Sequence, residues 1–266
     1  NGENEGEVCG PWGEGIVSAH AVVVTADGYV VVGGDEDVKK LDGDGNETGD
    51  WSLDAFNIEG MALVGNILYI ADSDTLAIYK ASLPHGVLTT TDPQALAYNA
   101  TSSLLYVLTD GEPYDKILVL NPATGTVLSE FDAPDMGGRG LTYLGEFLYY
   151  ATNAEGLCPP QCGQAEKRIY KLDPVTGEQE DDFQPQNEGG GEIYETLLGL
   201  GNDGSDLILS YADNYNGHCR FKIDKDNGSN QGRLCQDQNW EDALKQARGI
   251  TVSPKGHIIV AKDNEI

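Results

Sequence analysis

The sequence predicts an all-β fold, a six-bladed β-propeller of four-stranded antiparallel blades, and three repeating features predict it together. The first is a short strand core: His20-Ala21-Val22, Glu59-Gly60-Met61, Gln94-Ala95-Leu96, Arg139-Gly140-Leu141, Thr196-Leu197-Leu198 and Arg248-Gly249-Ile250. The middle residues of these cores are separated by 39, 35, 45, 57 and 52 positions. The second is an apolar, β-branched or aromatic strand that follows each core, as in Leu68-Tyr69-Ile70-Ala71 and Phe147-Leu148-Tyr149-Tyr150. The third is a turn, written Leu41-Asp42-Gly43, Leu120-Asn121-Pro122-Ala123-Thr124-Gly125, Leu172-Asp173-Pro174-Val175-Thr176-Gly177 and Ile223-Asp224-Lys225-Asp226-Asn227-Gly228. One four-stranded sheet cannot bury both faces, so copies at this spacing stack around an axis.

The stretch from Gly138 to Phe183 shows the unit most fully. Alternating aromatic and β-branched runs cut by Gly, Pro, Asn and Asp predict strands over 140–144, 147–152 and 168–173, and a fourth ending on Phe183. In chain order, residues 1–17 form a polar, Gly-rich lead, read as a linker or a closing strand. Residues 18–266 form the propeller, with blades at about 18–56, 57–92, 93–137, 138–194, 195–246 and 247–266. Gly189-Gly190-Gly191 reads as a hinge into the fifth blade, and Trp240 to Ala247 as a short helical turn before the sixth. The sixth reaches barely into a third strand by Ile266. Open strand edges are normally covered, so the lead, another chain segment or a neighbouring molecule is expected to complete this blade.

The x-Gly-Leu first strand, Leu68-Tyr69-Ile70-Ala71-Asp72 and the Leu-Asp-Pro-x-Thr-Gly turn resemble the NHL and YncE-like propellers over nearly the whole chain. The resemblance implies the fold. Such propellers serve as binding platforms, extracellular modules, lactonases and lyases, so it does not select a function.

Composition narrows the class. The chain carries 44 acidic against 16 basic residues, a formal charge of −28. That excess disfavours nucleic acid, whose binding depends on neutralising phosphates, and anionic membranes, and it suits an acidic solubility coat. No run of 18 apolar residues is present to span a bilayer. The start at Asn1, without Met or a leader, reads as a processed chain or a piece of a larger one.

Five cysteines point to an oxidising compartment. Cys219 and Cys235 are equidistant from Asn227 in a turn, so a symmetric hairpin sets them face to face. Cys158 and Cys162 could close a small ring within the longest loop. Cys9 is left over, to pair with that loop, with another module or not at all. The sequons Asn46-Glu47-Thr48, Asn99-Ala100-Thr101 and Asn227-Gly228-Ser229 all fall in turns on one side of the wheel, and are read as exposed N-glycosylation sites.

The opposite side gathers acidic loops. Asp35, Asp37, Asp72, Asp74, Asp110 and Asp213 are the candidate metal ligands; calcium, which takes six to eight oxygens, is the one candidate cofactor. Asp and Asn also simply favour turns. Asp42 to Glu47 begins like an EF-hand loop but has Glu47 where the sixth-position Gly belongs. On this side the fold should also bring His20, Glu59, Gln94, Arg139, Thr196 and Arg248 into a ring near the channel. That ring is either a ligand pocket or a polar plug in which Glu59 pairs with Arg139 or Arg248. Two arginines could hold a carboxylate or sulfate, and they disfavour the channel metal of a gluconolactonase-like enzyme.

The four histidines fall at unrelated points of the repeat, and no His-Glu-x-x-His, Gly-x-Ser-x-Gly or phosphate-cradling loop occurs. The expected function is therefore a non-catalytic extracellular or cell-surface module of a larger glycoprotein assembly such as a fibre, with protein partners or copies of itself. A metal-assisted, lactonase-like hydrolase or lyase at the channel mouth is the first alternative. A calcium-dependent glycan or peptide platform is the second.

Overall fold

In a computed structural model the chain builds five four-stranded antiparallel sheets and a two-stranded one. The structure describes residues 20–25, 30–33, 38–41, 47–51, 57–64, 67–73, 76–81, 86–89, 93–111, 113–153, 167–187, 190–191, 196–212, 220–233, 247–252 and 258–262. Blade one comprises β1 (Ala21–Val24), β2 (Val30–Gly33), β3 (Val38–Leu41) and β4 (Glu47–Trp51). Blade two comprises β5 (Ile58–Val64), β6 (Ile67–Asp72), β7 (Ala77–Ala81) and β8 (Gly86–Thr89). Blade three comprises β9 (Pro93–Asn99), β10 (Leu104–Thr109), β11 (Lys116–Asn121) and β12 (Thr126–Asp132). Blade four comprises β13 (Gly138–Leu144), β14 (Phe147–Thr152), β15 (Arg168–Leu172) and β16 (Gln179–Phe183). Blade five comprises β17 (Thr196–Asn202), β18 (Leu207–Ala212), β19 (Arg220–Ile223) and β20 (Asn230–Arg233), and the last sheet pairs β21 (Ala247–Val252) with β22 (Ile258–Lys262).

Within each sheet the strands follow one another in chain order. The first strands pack against each other in the sequence β1, β5, β9, β13, β17, β21 and back to β1. This closes the inner wall, so the molecule is an all-β propeller with five complete blades among the described residues.

Apolar cores lie between blades. One cluster joins Tyr149, Ile169 and Phe183 of blade four to Leu197, Leu209 and Ile223 of blade five; others join blades three and four, one and two, and two and three. The second-strand tyrosines Tyr69, Tyr106 and Tyr149 share one place in the repeat and are fully buried or nearly so. The Tyr69 hydroxyl donates to the Pro122 carbonyl in the next blade's turn. Burial and the Asp226 and Asp224 carboxylates of blade five push the Tyr149 phenol up to about 12.

The repeated turn has a local cause. Asn121, Asp173 and Asp224 each accept a backbone N–H two residues on, at 2.8–2.9 Å, the Asx-turn arrangement. The glycine ending each turn has positive φ (74°, 74° and 71° at Gly125, Gly177 and Gly228) and donates back to the same residue's carbonyl. Gly190 and Gly191, expected to be part of a hinge, instead close a tight turn on Asn187, since both N–H groups donate to it.

Candidate functional site

The inner ends of the first strands share a β-bulge. The pairing register skips one residue between Ile58 and Gly60, Ala95 and Pro93, Gly138 and Gly140, Leu197 and Gly199, and Ala247 and Gly249. The skipped residues are Glu59, Gln94, Arg139, Leu198 and Arg248. In blade one, the pairing of Ala21 with Gly33 aligns His20 with them, and His20 N–H donates to Gly33 O. A bulge bends its strand and re-aims one side chain, which gathers these positions at one end of the inner wall.

The x-Gly-Leu motif follows from this geometry. The residue after the bulge faces the next blade at backbone distance: a Cβ on Gly60 would lie 3.2 Å from Ala95 Cα, and one on Gly140 only 2.6 Å from Leu200 Cβ. At Gly140 a Cβ does not fit without a shift, whereas Ala21 and Ala95 hold the same place in blades one and three, so the position takes only small residues.

The structure corrects one member of the ring. Thr196 stands two residues before the fifth-blade bulge, and Leu198 occupies the ring position. Of the two pairings expected for Glu59, the one with Arg139 is replaced, and the Arg248 side chain lies outside the described ones. Arg139 Nη1 donates to Gln94 Oε1 at 3.4 Å, while Glu59 Oε1 accepts from the Ser73 hydroxyl at 3.4 Å. Among the ring residues His20 is buried, Glu59 and Gln94 are half-buried and Arg139 is exposed.

Behind the ring, polar side chains tie the structure together. Asp72, fully buried, accepts the Asn57 N–H at 3.2 Å, and Asn57 Nδ2 donates to Ser73 Oγ at 2.9 Å. Asn153 accepts Leu197 N–H and donates to Leu197 O, both at 2.6 Å, joining blade four to blade five. Asp115, 1% exposed in the loop between β10 and β11, accepts the Gly138 N–H of blade four at 2.7 Å through Oδ2. The Tyr150 hydroxyl lies 2.9 Å from both Asp115 Oδ2 and the Asp135 carbonyl oxygen. Burial, then the Asp110 carboxylate, push the Asp115 carboxyl above its usual range against the opposing pull of the Gly138 amide. Burial and the Asp115 charge likewise raise the Tyr150 phenol. The hydroxyl has one proton for two acceptors. A protonated Asp115 removes the conflict by donating to Tyr150, which then donates to Asp135 O.

Of the candidate metal ligands, Asp72 is engaged as a strut and Asp110 is exposed. Asp35, Asp37, Asp74 and Asp213, like the EF-hand-like segment 42–46, lie outside the described residues. Among those residues no three His, Cys, Asp or Glu side chains converge as an ion site.

The sequons separate. Asn99 is not exposed as expected: it is 5% exposed, and its Oδ1 accepts the N–H groups of Thr101 and Ser102, so the turn folds around its amide. Asn227 is exposed on its turn, with Oδ1 accepting Ser229 N–H. Asn46 lies outside the described residues, as do Cys9, Cys158, Cys162, Cys219 and Cys235, the lead over 1–17, and residues 240–246. The described part of the fifth-blade hairpin pairs Phe221 with Arg233 and Lys222 with Gly232.

No family model matches the chain, and no curated protein matches it. Solved structures do. A chain of the mitotic checkpoint complex aligns with TM-score 0.60 at 13% identity over 93% of this chain and 72% of that one. The WD40 domain of Pan2 from Neurospora crassa aligns at 0.59 and 14% over 92% and 75%. Hydrazine synthase of Kuenenia stuttgartiensis aligns at 0.60 and 12% over 93% and 96%. At such identities the likeness is one of fold: the chain is a β-propeller resembling those of the WD40 type.

Proposed function

We propose that this chain is a six-bladed propeller of the NHL or YncE-like kind that acts as a non-catalytic extracellular module in a larger glycoprotein assembly such as a fibre. The observation that carries the reading is the use made of Asp72, Asp115 and Asn153. Polar groups beside the channel end, where a hydrolase or lyase would keep its reacting groups, are bound to backbone and brace neighbouring strands. A rigid wheel then offers its outside. The seven-residue edge strand β12 exposes Val127 at 48% and Leu128 at 55%, and exposed strand edges favour pairing with other chains.

Secretion is supported by the cysteine register and by Asn227. A ladder that pairs Phe221 with Arg233 favours a Cys219–Cys235 bridge two residues further along. The sixth blade, begun by β21 and β22, is completed in this reading by the lead, another segment or a neighbouring copy.

The test is to secrete the chain from glycosylating cells and measure its molar mass in solution, with peptide mapping before and after reduction. Expected are concentration-dependent association, a glycan on Asn227 and a Cys219–Cys235 cross-link. A strict monomer with free thiols and an unmodified Asn227 overturns the proposal.

A further inference from the structure

The outer strands repeat a bulge of their own. The register with the neighbouring strand skips Thr48 in blade one, Leu128 in blade three, Glu180 in blade four and Gln231 in blade five. A bulge re-aims the extra side chain, and all four of these residues are exposed. Three are polar, as suits an edge that faces water. Leu128 is apolar, and Val127 beside it is exposed as well.

The apolar surface continues onto blade four. Its repeated turn, residues 173–177, rests on β12, since a Cβ on Gly177 would lie 2.3 Å from the Phe131 ring. That turn carries Val175, which is 75% exposed. The next seam is built the same way, with Gly228 against Phe183, but there the corresponding residues are Glu180 and Asp226, both exposed acids. A chain with 44 acids and 16 bases therefore keeps Val127, Leu128 and Val175 on adjoining elements of its rim, where the next seam carries charge. Exposed apolar residues grouped in this way mark interaction surfaces.

We propose that this rim is a homodimer interface, in which β12 pairs antiparallel with β12 of a second copy about a two-fold axis near Ser129. The charges select that partner and that direction. Glu130 and Asp132 occupy one end of β12, where Lys116 lies 2.8 and 3.8 Å from their carboxylates, while Thr126 to Ser129 at the other end are uncharged. Antiparallel pairing sets each acidic end against the partner's uncharged end. Parallel pairing would oppose like charges, and the edge strand β16, with Glu180, Asp181 and Asp182, would repel the acidic end of β12. A contact of this kind, the same patch on both copies, closes on itself. The inference rests on the module reading and deepens it: a fibre is then built from dimers and needs a second contact.

The experiment is sedimentation equilibrium of the secreted chain at low and high salt, with variants that borrow residues from the neighbouring seam. Wild type is expected to dimerise, more tightly in high salt, which screens the repulsion between two chains of charge −28. Leu128→Glu and Val175→Asp each place on this rim what the next seam already carries at the same position. They should leave the urea midpoint nearly unchanged and raise the dimer dissociation constant about tenfold or more. Ser129→Cys, once oxidised, should give a dimer whose peptide map shows position 129 cross-linked to itself. Association that is equally strong in wild type and in Leu128→Glu overturns the interface and leaves the module reading intact. A monomeric wild type that carries the Asn227 glycan and the Cys219–Cys235 cross-link also overturns the interface, while the secretory part of that reading stands.

Discussion

The seam between blades three and four and the seam between blades four and five are fastened near the same end of the wheel by different chemistry. The first uses Asp115, a buried carboxyl bound to Gly138 N–H and Tyr150, with no partner for Oδ1 among the described residues. The second uses Asn153, whose amide meets both the N–H and the C=O of Leu197. An amide carries one acceptor and a donor pair, so it can satisfy a backbone unit without burying charge. A carboxylate can only accept, and its burial is costly unless a proton neutralises it. The amide seam should therefore be indifferent to pH and the carboxyl seam sensitive to it.

The comparison can be broken first at the glycine of the four–five seam. Gly140→Val sets a Cβ against Leu200 and should cost about 3 kcal/mol or more through overpacking of inner strands, read as a lowered urea midpoint. A much smaller loss would mean the seam is looser than the geometry requires. Asn153→Ala strands two buried backbone groups and should cost about 2–3 kcal/mol, with the same loss at pH 5 and pH 8. A pH-dependent loss would remove the contrast.

Asp115→Asn sharpens it. Because the folded carboxyl titrates above its unfolded value, its favourable share of stability is full below the unfolded pKa, near 4, and is lost as pH rises through the folded one. Paired denaturation curves should show wild type losing ground to the variant as pH increases across that window, and parallel curves would count against a proton on Asp115. The smallest effect belongs to Lys171 and Asp226, 3.0 Å apart across the outer part of the four–five seam. Asp226 is half exposed, and hydrogen bonds from Lys225 and Lys171 lower its pKa. Asp226→Asn should cost no more than about 0.5 kcal/mol, and the loss should vanish in high salt and as pH falls below the usual carboxylate range.

The fold was legible because its unit repeats, and the site was legible only where it repeats too. Strands predicted over 147–152 and 168–173 match β14 and β15 to within a residue. The recurring turn has one physical cause, seen in blades three, four and five, and the small residue in each core has another, the close approach of the next inner strand. The fifth blade misled because Thr196-Leu197-Leu198 imitates a core, although Leu198-Gly199-Leu200 carries the glycine that the inner-wall contact requires. Asn99 misled because a sequon says nothing about whether its amide is already folded into a turn. The role of Asp115 was hidden for a different reason: its partners Gly138 and Tyr150 lie in the next blade, far along the chain.

Since each apolar cluster takes side chains from two adjacent sheets, no sheet possesses an interior of its own. Transplanting one into another wheel would require matching two foreign neighbours at once. A domain put together in this way should melt as one unit, with each sheet dependent on those on either side of it.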